Sequence, residues 1–323
     1  MLKKLWFKPW KGYFNSLASE NDIKYCFRLI LGRNPNKEEW PGHSSFAGSE
    51  LEQVVRGYLN SLEFKSRELL NYDQNIINYK TKFGFDIYLN LQDSLIGQPI
   101  SQGVIYEENV THFFTKKLTE NMTFLDIGAN IGWYSLLAAK LLKDNCKIYA
   151  FEPFSENAKL LLASKSKNNF NSINVIQAAA GNQFGTVAFG ASGSNGQCKE
   201  LADQPESVLT SDTVNMVRID NIVREKVDLI KIDIEGAEYN AMLGSIDTIK
   251  NSLPIIFSEF TPTAMPSICG IKWDEYLKFI VNLGYKILVI DEELIQCDHD
   301  IDKVYKIFIN KGTDHLDLIF YIN

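Results

Sequence analysis

FLDIGANIGWYS, residues 124–135, is an apolar strand that ends in Asp126, passes through Gly128, Asn130 and Gly132, and enters an apolar helix. Strand, glycine turn and helix in that order form the ligand crevice of an open α/β sheet, where glycines let a ligand approach the backbone. The spacing is not that of a dinucleotide fingerprint. The G-x-G-x-x-G order is missing, and Asp126 would repel a pyrophosphate while welcoming a cationic group. S-adenosylmethionine, with its sulfonium and amino group, suits such a site. The plainer alternative is a glycine turn that only packs helix on strand.

Downstream, the strand-like runs KIYAFEP, INVIQAAAG, DLIKIDI, PIIFSEF, YKILVID and DLIFYIN alternate with amphipathic segments. This alternation predicts an α/β fold with a doubly wound sheet. Glu152 ends KIYAFEP, where a carboxylate can accept both hydroxyls of a ribose. In DLIKIDIEGAEYNAML (228–243), a period of two places Lys231, Asp233 and Glu235 on one side of the strand. Glu238 is read as an acidic residue stabilised at a helix N-terminus. Glu259 ends LPIIFSEF. Asp233, Glu235 and Glu259 could hold a sugar, position a metal or remove a proton. No D-x-D pair or Asn/Asp run stands beside them, so no metal site is expected. His43, His112, His299 and His315 are scattered, with none read as lying at a strand end opposite these motifs. GASGSNGQCKELADQPESVLTSD (190–212) reads as a loop over the acceptor site or a surface linker.

Upstream, residues 1–72 read as a separate small α-helical unit and 73–323 as the main domain, with a lead-in strand region over 73–120. MLKKLWFKPWKGYF (1–14) mixes lysines with aromatic rings, a composition for membrane-surface contact or for packing on the protein itself. In LGRNPNKEEWPGHSSFAGSE (31–50), Gly32, Pro35, Pro41 and Gly42 are expected to stop one helix and Ser49 to start the next. FGFDIYLNL (83–91) has a strand pattern. The 323 residues are 45% apolar, enough for an ordinary core, and 33 basic against 40 acidic side chains give −7, no field for attracting nucleic acid. The scattered cysteines at 26, 146, 198, 269 and 297 form no C-x-x-C pair and read as reduced thiols of a cytoplasmic protein. The N-terminus lacks a signal-peptide pattern, and the chain is expected to stay inside the cell, possible membrane contact being confined to 1–14 at the inner face.

In this order, DIGANIGWYSLLAA, AFEPFSEN, VIQAAAGN and LIKIDIEGAEYNAMLGS resemble the FkbM family of S-adenosylmethionine-dependent methyltransferases, over residues 83–323. Tyr106-Glu107 matches the family's Y-E element, and Asp220 in VRIDNI its L-D element, with Ile219 where Leu is usual. The resemblance implies a Rossmann-like seven-stranded methyltransferase sheet whose last strand is antiparallel. It also implies methyl transfer to a hydroxyl, often of a sugar or polyketide-like product. S-adenosylmethionine would be bound by Glu107, Asp126, Gly128, Ala129, Asn130, Gly132, Tyr134, Glu152, Pro153, Ala179 and Asp233.

An alcohol is a poor nucleophile at neutral pH and needs orientation and a proton acceptor. The residues expected to supply these are Asp233, touching cofactor and acceptor, Glu259 or Glu235 as base, and Lys231 as the countercharge that keeps them ionised. The acceptor is expected to be a small molecule or glycan. A reading from another class is a scaffold that binds the cofactor without turnover and works through its helical module. Intact Asp126, Gly128, Gly132 and Glu152 argue against it. YCFRLILGRNPNKEEW followed by VRGYLNSLEF is similar to a small bacterial helical module marked by L-G-R and S-x-E-F, with Lys37-Glu38-Glu39-Trp40 where D-x-x-G-x-x-Y/W is usual.

Overall fold

A computed structural model of the chain describes residues 15–66, 75–192, 195–199 and 212–322. The basic-aromatic segment 1–14 lies outside them, as do 193–194 and 200–211 of the insert expected to cover the acceptor site. Contacts divide the chain into two units, Met1–Gln74 and Asn75–Asn323.

In the first unit, helix Glu20–Tyr25 runs on into a π-helical turn, Cys26–Ile30. A reciprocal pair of hydrogen bonds between Ser19 and Asp22 caps its start. Short helices follow over Trp40–Ser44, Leu51–Leu59 and Leu62–Ser66. The break expected at Pro41 is instead a helix start, because proline in a first turn gives up no hydrogen bond. The next helix takes Glu50 rather than Ser49 as its cap residue. Ile23, Phe27, Val54, Tyr58 and Phe64 are buried together. Arg33 of the L-G-R element forks onto two carboxylates, with Nη2 3.0 Å from Glu39 Oε2 and 2.8 Å from Glu63 Oε2. One guanidinium thus ties L-G-R both to S-x-E-F and to the 37–40 segment.

The second unit opens with the antiparallel hairpin β1 (Ile76–Lys80) and β2 (Asp86–Asn90). It docks on helix Ser155–Asn168, whose Asn168 and Ser164 side chains accept the amides of Asp86 and Tyr88. The main strands are β3 (Thr123–Ile127), β4 (Lys147–Phe151) and β5 (Ile173–Ile176). After an inserted sheet of β6 (Ala179–Ala180), β7 (Gly185–Ser192), β8 (Asn195–Lys199) and β9 (Asp212–Val217) come β10 (Leu229–Ile232) and β11 (Ile255–Phe260). The last are β12 (Lys286–Ile290), β13 (Leu294–Asp298) and β14 (Leu316–Tyr321). Their order is β13-β12-β14-β11-β10-β3-β4-β5. From β12 to β5 this is the seven-stranded arrangement, with β14 antiparallel to both neighbours; β13 adds an eighth strand as a hairpin on β12.

Both faces of this sheet are covered, which is why its strands read as continuous apolar runs. Phe124, Leu229 and Phe257 join the core on one face. Their chain neighbours Leu125, Ile230 and Ile256 join the core on the other. At its start the expected loop is instead strand, residues 190–192 pairing with 195–197, and β7 also pairs antiparallel with β9, Val187 opposite Val214. The helix expected over AEYNAMLGSIDTI is two, Glu238–Leu243 and Ile246–Ser252. Between them, a Cβ on Gly244 would lie 1.8 Å from the Gly181 carbonyl oxygen. Asp220 starts the second helix by accepting the Thr248 amide (2.9 Å) and hydroxyl (2.8 Å), a capping role for the L-D element.

Candidate active site

Because β3, β4, β10 and β11 run parallel, their carboxyl ends lie along one edge of the sheet, the usual crevice of open α/β sheets. The cleft there is lined by Glu107, Asp126, Glu152, Asp233, Glu235 and Glu259, with Lys231 and His315 as the basic groups. Gly128, Ala129, Asn130, Tyr134 and Pro153 line it too. Gly132 and Ala179 do not. Ala179 lines a neighbouring hollow, shared with Gly128, Pro153 and Ile234.

Gly128 and Gly132 each leave room for the protein's own atoms. Gly128 has φ 80°, and a Cβ there would lie 1.9 Å from the Asp233 carbonyl oxygen, so the 127–132 and 233–236 turns meet backbone to backbone. A Cβ on Gly132 would instead strike Leu161 at 2.1 Å. Glu152 holds the turn. Its Oε2 accepts the Asn130 amide and its Oε1 the Phe154 amide, each at 2.8 Å. Burial pushes it up to about 7 despite those two bonds. Asp126 commits Oδ2 to the Ser135 amide (3.0 Å) and hydroxyl (2.6 Å) at the start of the following helix, and burial raises it to about 6.

Lys231 is 2% exposed. Its Nζ lies 3.0 Å from Asp233 Oδ2, 3.7 Å from Glu107 Oε2 and 5.2 Å from the centre of the Tyr134 ring. Burial would lower its pKa, but Asp233, Glu107 and Asp317 outweigh that and hold it raised. Tyr134 donates to Glu107 Oε2 at 2.6 Å, and Glu107 itself sits at φ 43°. The expected group of Lys231, Asp233, Glu235 and Glu259 does meet. One oxygen of each of the three carboxylates lies within 4.8 Å of the others. Glu235 reaches the group from a left-handed turn, φ 57°, followed by Gly236 at φ 101°. Glu238 pins that turn by accepting the Ile234 (3.1 Å) and Gly236 (3.2 Å) amides. Its carboxylate therefore acts through specific bonds rather than through the helix dipole alone. Burial, then Asp233, Glu238 and Glu235, hold Glu259 well above the usual carboxylate range.

His315 and Asp317 were not among the residues expected here. The antiparallel register pairs Phe260 with Leu316 and Glu259 with Asp317, so the start of β14 meets the end of β11. His315 Nδ1 lies 3.6 Å from Glu259 Oε1 and 2.8 Å from Asp314 Oδ1. Burial and Glu107 push Asp317 up to about 7. The readable signal was the antiparallel sense of the last strand, which reverses the end that faces the cleft. From the insert, Phe189 stacks on Phe154 with ring centres 5.2 Å apart, and Phe189 and Gly196 line the cleft. His112 is exposed on its helix.

The sequence pattern of the methyltransferase FkbM domain matches residues 126–287. No curated protein matches the chain. Among solved structures, the chain is similar to a methyltransferase FkbM from Methylobacillus flagellatus, at 17% identity and TM-score 0.42, covering 92% of this chain and 58% of that one. It is also similar to a SAM-dependent O-methyltransferase from Thermotoga maritima, at 15% identity and TM-score 0.39, covering 76% and 78%. A third is M. jannaschii TYW2 in complex with AdoMet, at 14% identity and TM-score 0.38, covering 77% and 87%. The chain thus spans less than two thirds of the length of the first of these.

Proposed function

Because the chain belongs to the FkbM methyltransferase family, we propose that it is an S-adenosylmethionine-dependent O-methyltransferase whose acceptor is a hydroxyl of a sugar or cell-surface glycan. The observation that carries this reading is the one cleft lined by Asp126, Glu152, Asp233 and Glu259 from the ends of β3, β4, β10 and β11. The residues present fit the cofactor. Glu152 is 4% exposed and raised to about 7, so two ribose hydroxyls donating to it would restore its ionised form. Asp126, Glu107 and Asp233 supply negative charge for a cationic methionine end, and Ala129 and Asn130 border the same space.

When bound, S-adenosylmethionine supplies an electrophilic methyl group. The chain's part is to orient the acceptor hydroxyl and take its proton. Lys231 presents its positive charge to Asp233 and Glu107 from inside the sheet. Asp233 then orients the acceptor, and Glu259 or Glu235 accepts the proton. A carboxylate raised by burial is, once ionised, a stronger base than an exposed one. The acid-lined cleft and the charge of −7 favour a neutral hydroxyl acceptor over nucleic acid. A cytoplasmic location completes the reading, supported by the free thiols of Cys26, Cys146, Cys269 and Cys297. Among the described residues, no helix is long and apolar enough to cross a membrane.

The test is calorimetry with S-adenosylmethionine, followed by an assay for S-adenosylhomocysteine across glycan fractions. Product formed only with a hydroxyl-bearing acceptor is the expected result. Tight binding without turnover on any acceptor would favour the scaffold reading.

A further inference from the structure

The sequence spacing pointed away from a metal, but strand pairing changes the geometry. Parallel register sets Ile232 beside Ser258, so Asp233 and Glu259 emerge side by side from β10 and β11, and the left-handed turn at Glu235 brings in a third carboxylate. One oxygen from each lies within 4.8 Å of the others. Such crowding of like charge needs a positive partner. Lys231 serves Asp233 at 3.0 Å and Glu107 at 3.7 Å.

Glu259 is served differently. It is 8% exposed, and its buried Oε2 has no hydrogen-bond partner among the described residues. The neighbouring basic group, His315, stands 3.6 Å from the other oxygen and spends Nδ1 on Asp314. A single proton would satisfy one oxygen only. A hard cation bound by carboxylates at about 2.0–2.6 Å places its ligand oxygens roughly 3–5 Å apart, the separation found here.

We propose that Asp233, Glu235 and Glu259 form a binding site for a divalent cation of the Mg²⁺, Mn²⁺ or Ca²⁺ class. The orphaned Oε2 is one ligand atom, and the side facing the cleft is open to water and to the acceptor's hydroxyls. A cation there holds an acceptor oxygen and favours its ionised form, so less is asked of a protein base. That role rests on the proposed methyl transfer; the binding of the ion does not.

Mn²⁺ is the probe, added to chelator-treated full-length protein and followed by loss of the free-ion electron paramagnetic resonance signal. One Mn²⁺ per chain is expected. Binding should weaken roughly 10- to 100-fold in Glu259→Gln and in Glu235→Gln, and stay unchanged in the surface control Glu293→Gln. Mg²⁺ and Ca²⁺ are added as competitors. Glu235→Gln, on the turn rather than in the sheet, keeps the test open if Glu259→Gln fails to fold. Absence of stoichiometric Mn²⁺ binding by the wild type, or binding indifferent to both folded variants, overturns the site. If that wild type still turns over in chelator, methyl transfer stands without the ion and the carboxylates serve the acceptor hydroxyl and its proton. If it binds Mn²⁺ yet transfers no methyl group, the ion site stands and the proposed activity falls.

Discussion

Lys231 reaches Asp233 from inside the sheet, its Nζ 3.0 Å from Oδ2 and its side chain 2% exposed. A lysine in the middle of an apolar strand is tolerated because the strand ends one residue later in the charges it needs. Lys231→Met removes the cation and leaves Asp233 and Glu107 without it, a loss of about 3–5 kcal/mol by analogy with other broken buried pairs. Urea denaturation measures it. A variant as stable as the wild type would show that solvent screens the two carboxylates unaided.

Cofactor affinity is expected to depend on pH through Glu152. Its unfolded value is 4.5 and its folded value about 7, so the proton is held more tightly in the fold. The stability it contributes is present below about 4.5 and is lost as pH rises through about 7. Ribose hydroxyls favour the ionised form, so affinity for S-adenosylmethionine should rise with pH across that window. Glu152→Gln should flatten the dependence, and Glu152→Ala should weaken binding by about 1.5–3 kcal/mol in a protein that still folds. Calorimetry at several pH values checks both. Unchanged affinity would remove the ribose assignment.

Gly128→Ala places a methyl group where the Asp233 carbonyl oxygen lies, at a φ of 80°. The two turns must part, so cofactor affinity should fall together with thermal stability, the left-handed backbone alone costing about 1–2 kcal/mol. Parallel melting and binding curves test the coupling. A loss of affinity at unaltered stability would mean that the methyl group blocks ligand and not backbone.

A fragment beginning at Asn75 should fold and bind cofactor by itself, since the second unit holds every residue assigned to the cleft. Circular dichroism and calorimetry on the fragment decide it. Aggregation of the fragment, with the full chain soluble, would show that the two units share a core.

Asp233→Asn, Glu235→Gln and Glu259→Gln separate the chemical roles. A general base should lose about 10²–10⁴-fold in turnover with cofactor affinity near the wild type, whereas a residue that only orients the acceptor should raise its KM. Steady-state kinetics with one acceptor distinguishes the two. Full turnover in all three would move the chemistry elsewhere in the cleft, Glu107 being next.

The strands, their apolar character and the acidic residues at their ends were legible in the sequence. A strand buried on both faces must be written in apolar residues, and a ligand edge must begin where those runs stop. Asp126, Glu152, Asp233 and Glu259 were found that way. The pairing of residues 190–192 with 195–197 was not legible, because glycine, serine and asparagine carry no strand pattern of their own and the partner is set by register.

Pairing direction and register were decided only by the tertiary structure. His315 and Asp317 precede or begin an apolar run, the end that in a parallel strand lies far from the cleft. Because β14 runs antiparallel, that end meets Glu259. In the same way, the glycines of 128–132 announced a close approach without saying to what, and the neighbours turned out to be the Asp233 carbonyl and Leu161. Local sequence sets what each segment prefers to be. Which charges share a few ångströms depends on hydrogen bonds between segments distant along the chain, and those are chosen by the packing of the whole sheet.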